Sequence, residues 1–195
     1  MAPNKWMFKW IAAALIAACS LPAAAASDSY KIDPDHTYPS LEFSHMGMSV
    51  WRGKFDKSSG RITLDRAAKT GTVDVAIDPA SIDFGLKAMH DKAVSDDFFN
   101  VAKFPTASYK GTLIFDGDTP KAVDGKITFM GVTKPVKLAI NSFKCMEHPM
   151  LKKEFCGADA EGEMNWSEYG MKMSEYGKGD MGKVHLRIQV EGLKE

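Results

Sequence analysis

Apolar and polar residues alternate along most of this chain, the period of two that marks strands with one buried face. The last such segment is the clearest. Val184, Leu186, Ile188 and Val190 share one parity, while His185, Arg187, Gln189 and Glu191 share the other. The same alternation groups Leu41, Phe43 and His45, then Val73, Val75 and Ile77 opposite Thr72, Asp74 and Asp78. It continues through Ala107, Tyr109, Gly111, Leu113 and Phe115, through Ile127 and Phe129, and through Val136, Leu138 and Ile140. Met164 and Trp166 fall on the parity of Ala158, Ala160 and Gly162, opposite Asp159, Glu161 and Glu163. Turn residues punctuate these runs at Lys57–Gly60, Asp116–Asp118 and Asp124–Gly125, which are expected to be connectors. About eight strands at roughly ten-residue spacing predict an antiparallel barrel or sandwich. Only Leu86 to Phe99 departs from the pattern. Leu86, Met89, His90 and Ala93 recur near the helical period, so a short helix is expected there.

Small residues interrupt the inward parity at Gly71, Ala107, Gly111, Gly125, Ala158, Ala160 and Gly162. Eight strands enclose an interior that side chains can fill or that can hold one slim ligand. The missing volume fits a cavity. It equally fits the relief of strand curvature, and the pattern alone does not separate the two.

The first 26 residues read as an export signal. Lys5 and Lys9 supply the positive start, Trp10 to Ala18 is uncharged and apolar, Pro22 ends the helix, and Ala24–Ala26 offers small residues at a cleavage site. The apolar run is too short for a bilayer span of about 20 residues. The expected mature chain is then Ser27–Glu195, a single domain. A second processing site competes: Ile16-Ala17-Ala18-Cys19 resembles a lipobox, and cleavage before Cys19 would leave a lipidated lipoprotein.

The chain carries 25 basic and 25 acidic residues. Two of the lysines sit in the leader, so the remainder is slightly acidic. No basic patch points to nucleic acid, and no polybasic run points to anionic lipid. Cys145 and Cys156 remain after the leader. An even count in an exported chain favours a disulfide over free thiols or a zinc site. The loop between them is short, and closing it is worth about 3 kcal/mol.

Catalytic signatures are missing from the sequence: there is no Gly-x-Ser-x-Gly, His-Glu-x-x-His or phosphate loop. The adjacent Asp96 and Asp97 read as a cap or solvated turn, since neighbours on a helix diverge. Methionine offers the one rival chemistry. Met46, Met48, Met171 and Met173, with Met146, Met150 and nearby histidines, could handle copper, because thioether is a soft ligand. They fit as readily as adaptable lining of an apolar cavity.

Several ordered segments carry a resemblance. They are Asp35-His36, Leu41-x-Phe43-x-His45, Gly53-Lys-Phe55, Gly60-x-Ile62-x-Leu64-Asp65, Asp96-Asp-Phe-Phe-Asn100, Phe104-Pro105, Val123-Asp-Gly125 and Gly131-Val-Thr-Lys-Pro-Val136-x-Leu138. In this order and spacing the chain resembles the YceI-like family of exported polyisoprenoid-binding proteins, and a subgroup with an added cysteine pair. The resemblance implies an eight-stranded antiparallel lipocalin-like barrel with a short helix. It implies a periplasmic protein, not an enzyme, whose tunnel binds, stores or transports a long isoprenoid lipid, often a quinone or quinone precursor. It implies no cofactor beyond that lipid, and no catalytic residues. Transient contact with a membrane or membrane protein, and a homodimer, are left open by the sequence. Parity assigns the lining to Phe43, Phe55, Val75, Ile77, Phe98, Phe99, Tyr109, Leu113, Phe129, Leu138, Met164 and Leu186. Arg52, His90 and Asp91 are the expected contacts for a polar head group.

Overall fold

The final strand, Lys183–Lys194 (β11), has two partners along one edge, and this explains the architecture. A computed structural model of the chain describes residues 27–171 and 182–195. Near its end β11 pairs with Asp28–Ile32 (β1), through Tyr30↔Lys194 and Ile32↔Gly192. Further back it pairs with Tyr38–His45 (β2), through Gln189↔Tyr38 and Val184↔Phe43. The chain bends between β1 and β2, so both lie beside β11 in succession.

The remaining strands are Ser49–Phe55 (β3), Ser58–Asp65 (β4), Thr70–Ile77 (β5), Ile82–Asp83 (β6), Ala107–Asp116 (β7), Thr119–Phe129 (β8), Val132–Glu147 (β9) and Glu154–Asn165 (β10). One sheet contains all eleven, in the order β1-β4-β5-β7-β8-β9-β10-β11-β2-β3-β6, with β1 also pairing β11. Eight of them, β1, β4, β5 and β7–β11, therefore close a ring, and every ring contact is antiparallel. The expected eight-stranded barrel is present. The other three strands form a leaf that leaves the ring along β2.

A helix at Lys87–Val94 (α1) follows the leaf, shorter than the expected Leu86–Phe99. Beyond Ser95 the chain continues as turns. Phe99 donates its amide to the Ala93 carbonyl at 2.9 Å, and Asn100 to Ser95 at 2.8 Å. These bonds curl Phe99 back under the helix, where it is buried.

Two of the expected connectors are not turns. Ser58–Gly60 opens β4, and Asp124–Gly125 runs inside β8. At Gly125 the reason is packing: a methyl group there would collide with the ring of Tyr109. Asp116–Asp118 is a tight hairpin turn as expected, with Asp116 paired to Thr119 and Gly117 at φ +59°. Positive φ at such a position suits glycine, which has no Cβ to clash.

Candidate functional site: an apolar cavity with one polar end

Inside the ring, strands β4, β5 and β7–β11 turn their apolar parity toward a cavity of about 130 Å³. Carbon atoms line almost all of it. Of the expected lining, Val75, Ile77, Tyr109, Leu113, Leu138 and Leu186 do face this space. So do Ile62, Leu64, Val73, Ile127, Ile188 and Val190, on the same inward parity of their strands. A void of this size with apolar walls stays dry, because a water there would find no partners.

The few polar groups on the wall are already occupied. Tyr109 donates its hydroxyl to the Val136 carbonyl at 3.0 Å, and burial pushes the phenol well above its ordinary range. The Thr37 hydroxyl donates to the Glu191 carbonyl and accepts from the Glu191 amide, each at 3.1 Å. Neither offers a free donor to a ligand in the middle of the barrel.

Ala107 is buried in the core, and the other six inward small residues divide into two groups. Ala158 and Ala160 border the cavity. Gly71, Gly111, Gly125 and Gly162 do not open it, because each is covered by a large side chain from a neighbouring strand: Leu113, Val123, Tyr109 and Leu138 respectively. Glycine here makes room for a neighbour's side chain.

One end of the barrel is plugged by aromatic rings. Phe43 packs against Trp166 at 4.6 Å between centroids, and Phe99 meets Phe129 edge-on at 5.1 Å. Phe129 in turn meets Tyr169 at 5.9 Å, and Phe55 lies 6.3 Å from Phe99. Tilted and edge-on pairs of this kind add to the area they bury. Phe43, Phe55, Phe99 and Phe129 are therefore placed in this plug, away from the cavity wall. Phe98 is half-buried beside the plug, with the Lys92 ammonium 5.2 Å from its ring centre. Met164 borders a shallow surface hollow with Pro135 and Tyr169. The Tyr169 hydroxyl is buried and has no hydrogen-bond partner among the described residues.

The opposite end is polar. Tyr30 lines the cavity and donates its hydroxyl to Glu154. The Arg66 guanidinium donates to Glu154 at 3.0 Å and to the Tyr30 oxygen at 3.3 Å. Its Nη2 also lies 3.1 Å from Cys145 Sγ and 3.6 Å from Cys156 Sγ. Those sulfurs form the expected disulfide, which bridges β9 and β10 at the directly opposed pair Cys145↔Cys156. Asp28 completes the group, 3.6 Å from Arg66 and 2.7 Å from Lys194. Burial first, and the bond to Glu154 second, push the Tyr30 phenol up to about 12. The Tyr30 and Arg66 bonds hold the Glu154 carboxyl below the usual carboxylate range.

The expected head-group residues lie elsewhere. Arg52 is on the outer face of β3, paired with Glu42 at 2.9 Å. His90 Nδ1 sits 2.8 Å from the Ile82 carbonyl, and Asp91 pairs with Lys87 within one turn of α1. None of the three borders the cavity or bonds to a side chain that does. Arg66 and Glu154, themselves off the wall, both bond Tyr30, which lines it. Tyr30, Arg66 and Glu154 escape sequence reading, although one signal was present. Arg66 continues the inward parity of Ile62 and Leu64, so it is a charge on an apolar face.

Among the described residues the copper-type methionines are not assembled. Met46 and Met48 are exposed in the β2–β3 turn, beside the plug, while Met146 and Met150 are exposed at the β9–β10 hairpin, at the polar end. Met171 packs against the core, and Met173 lies outside the described residues. The proposed leader, residues 1–26, lies outside them too. Among the described residues no helix is long and apolar enough to cross a membrane.

Comparison with known proteins places these features in a family. Residues 30–192 match the YceI-like domain. The chain is 33 % identical over 196 residues to a UPF0312 protein of Shewanella denitrificans, covering 95 % of this chain and 97 % of that one. It is 32 % identical over 180 residues to protein YceI of Escherichia coli O157:H7, covering 90 % and 92 %. Among solved structures, Burkholderia cenocepacia BcnA superposes with a TM-score of 0.67 at 21 % identity, covering 82 % of this chain and 98 % of that one. A Saccharophagus degradans protein described as a polyisoprenoid-binding domain superposes with a TM-score of 0.59 at 13 % identity, covering 85 % and 98 %. At these identities the structures share the fold. The family model, the two sequence relatives and the closed barrel agree, and this chain belongs to the YceI-like family.

Proposed function

We propose that this protein binds a long isoprenoid chain inside its barrel, and stores or carries it in the periplasm. An isoprenoid quinone or quinone precursor is the favoured ligand. The observation that supports this most is the carbon-lined cavity within a closed ring of strands. An isoprenoid in water exposes apolar surface at about 25 cal/mol per Å², and enclosure removes that cost. Binding of this kind needs no catalytic group. The description of the Saccharophagus degradans neighbour as polyisoprenoid-binding adds weight from a shared fold.

The cavity is slim, so a long chain must displace lining side chains. The unbranched and singly branched walls, Leu113, Leu138 and Leu186 among them, have rotamers to spare for this. The test is mass spectrometry of an organic extract from natively purified protein. A stoichiometric isoprenoid supports the reading, and a protein that emerges free of lipid from a quinone-producing host overturns it. Intact mass of the exported form decides its address: a start at Ser27 supports a free periplasmic carrier, and a lipidated Cys19 makes it an anchored one.

A further inference from the structure

The polar end of the cavity has a charge balance that bears on the ligand's head. Arg66 and Lys194 contribute two cations, and Asp28 and Glu154 two anions, all within one connected set of contacts. The side chains of Arg66, Asp28 and Glu154 are 39 %, 31 % and 33 % exposed, so the group stands between the cavity and solvent. Tyr30 and Cys156 belong to both the cavity wall and this group.

We propose that Arg66, Tyr30 and Glu154 form the head-group site, and that it takes an uncharged head, a quinone carbonyl or an alcohol, in preference to a diphosphate. The proposal rests on the isoprenoid reading above and names the head that this chain would carry. A diphosphate needs cations that are not already neutralised. Here the Arg66 charge is matched by Glu154 at 3.0 Å and Asp28 at 3.6 Å, and the Lys194 charge by Asp28 at 2.7 Å. Bringing a multiply charged anion beside two carboxylates costs desolvation and repulsion together. A carbonyl oxygen asks only for a donor. A guanidinium has five N–H groups in a planar fork. The Arg66 Nη1 meets Asp28 only at the outer limit of an ion pair, so it has donors to turn toward a carbonyl. The neutral Tyr30 phenol sits beside it, at the last apolar layer of the cavity.

Three probes with the same C20 prenyl chain separate the heads: menaquinone-4, geranylgeraniol and geranylgeranyl diphosphate. Each is titrated into delipidated protein and followed by quenching of intrinsic fluorescence. Menaquinone-4 and geranylgeraniol are expected to bind about tenfold or more tightly than the diphosphate, a difference of about 1.4 kcal/mol. Glu154→Gln frees the Arg66 charge and should narrow or reverse that ratio. Asp28→Asn removes the other counter-charge and should act in the same direction, which keeps the test available if Glu154→Gln does not fold. Arg66→Gln should weaken menaquinone-4 most. Equal affinity for the diphosphate in the wild type, or a ratio unmoved by both carboxylate variants, overturns the head-group site and leaves the isoprenoid reading intact. Failure of all three probes to bind any form overturns the isoprenoid reading itself, and this site with it.

Discussion

A single hydroxyl, that of Thr37, holds both backbone groups of Glu191, accepting from its amide and donating to its carbonyl at 3.1 Å each. Glu191 lies where β11 changes partner from β2 to β1. Neither β1 nor β2 pairs with Glu191 in register, and the side chain of Thr37, together with the Asp33 amide on the Glu191 carbonyl, supplies the bonds instead. Losing the hydroxyl leaves the Glu191 amide without this partner, while the carbonyl keeps the Asp33 amide at 3.0 Å.

Thr37→Val is therefore expected to destabilise the protein by about 1–3 kcal/mol, the cost of leaving the Glu191 amide unpaired. Thr37→Ser, which keeps the hydroxyl, should recover most of the loss. Urea unfolding of the three proteins measures it. A valine variant as stable as the wild type would show that water replaces the hydroxyl.

Ala160 is buried at the cavity wall, and a larger residue there has empty space to enter. Ala160→Leu is expected to fold and to carry markedly less isoprenoid per mole of protein. Filling a void without strain is neutral or stabilising, whereas overpacking costs about 1–3 kcal/mol. Lipid content and thermal melting, read together, distinguish blocked binding from a damaged fold.

Phe129 belongs to a different experiment from the one its parity suggests. As a lining residue it would tolerate Phe129→Asp with loss of lipid alone. In the aromatic plug it packs against Phe99 and Tyr169, and even Phe129→Ala should cost about 3–5 kcal/mol. Circular dichroism and denaturant midpoints should show a destabilised protein, more so for Phe129→Asp. A fully stable aspartate variant that lacks lipid would return Phe129 to the binding site.

Replacing both Cys145 and Cys156 by serine should cost about 3 kcal/mol through the unfolded state alone. Removing the sulfurs also takes away neighbours of Arg66. Thiol titration of the unfolded, unreduced Ser27-start protein should find none free, and two free thiols would contradict the bridge.

Glu154 makes the polar end sensitive to acid. Its folded pKa is depressed, first by the Tyr30 hydrogen bond and then by Arg66. A depressed acid contributes stability above its unfolded value, about 4.3, and loses it as pH falls toward the folded value. The wild type should lose stability across that acid range by more than Glu154→Gln does. Denaturant midpoints of both proteins between pH 6 and pH 3, as about the practical range for this titration, decide it. Parallel curves would show that Glu154 is not coupled to folding.

Strands β1, β3, β4 and β6 were not legible in the amino-acid order, whereas the alternation of β2, β5 and β7–β11, a short helix after the leaf and the cysteine hairpin were. Each depends on local periodicity or on residues a few positions apart. The parity correctly put Val75, Tyr109, Leu138 and Leu186 on the inside of the barrel. It could not say which inward residues meet the cavity and which fill the end, because that depends on depth along the barrel axis. Depth is decided by how strands are staggered, and the stagger by pairings such as Val184↔Phe43 and Tyr30↔Lys194. The same limit hid the polar end. Arg66 stands 88 residues from Glu154 and 36 from Tyr30, and only closure of the ring brings their charges and donors together. Small inward residues taught the same lesson in reverse: whether Gly125 or Ala160 leaves a void depends on the neighbouring strand's side chain, which tertiary packing alone supplies.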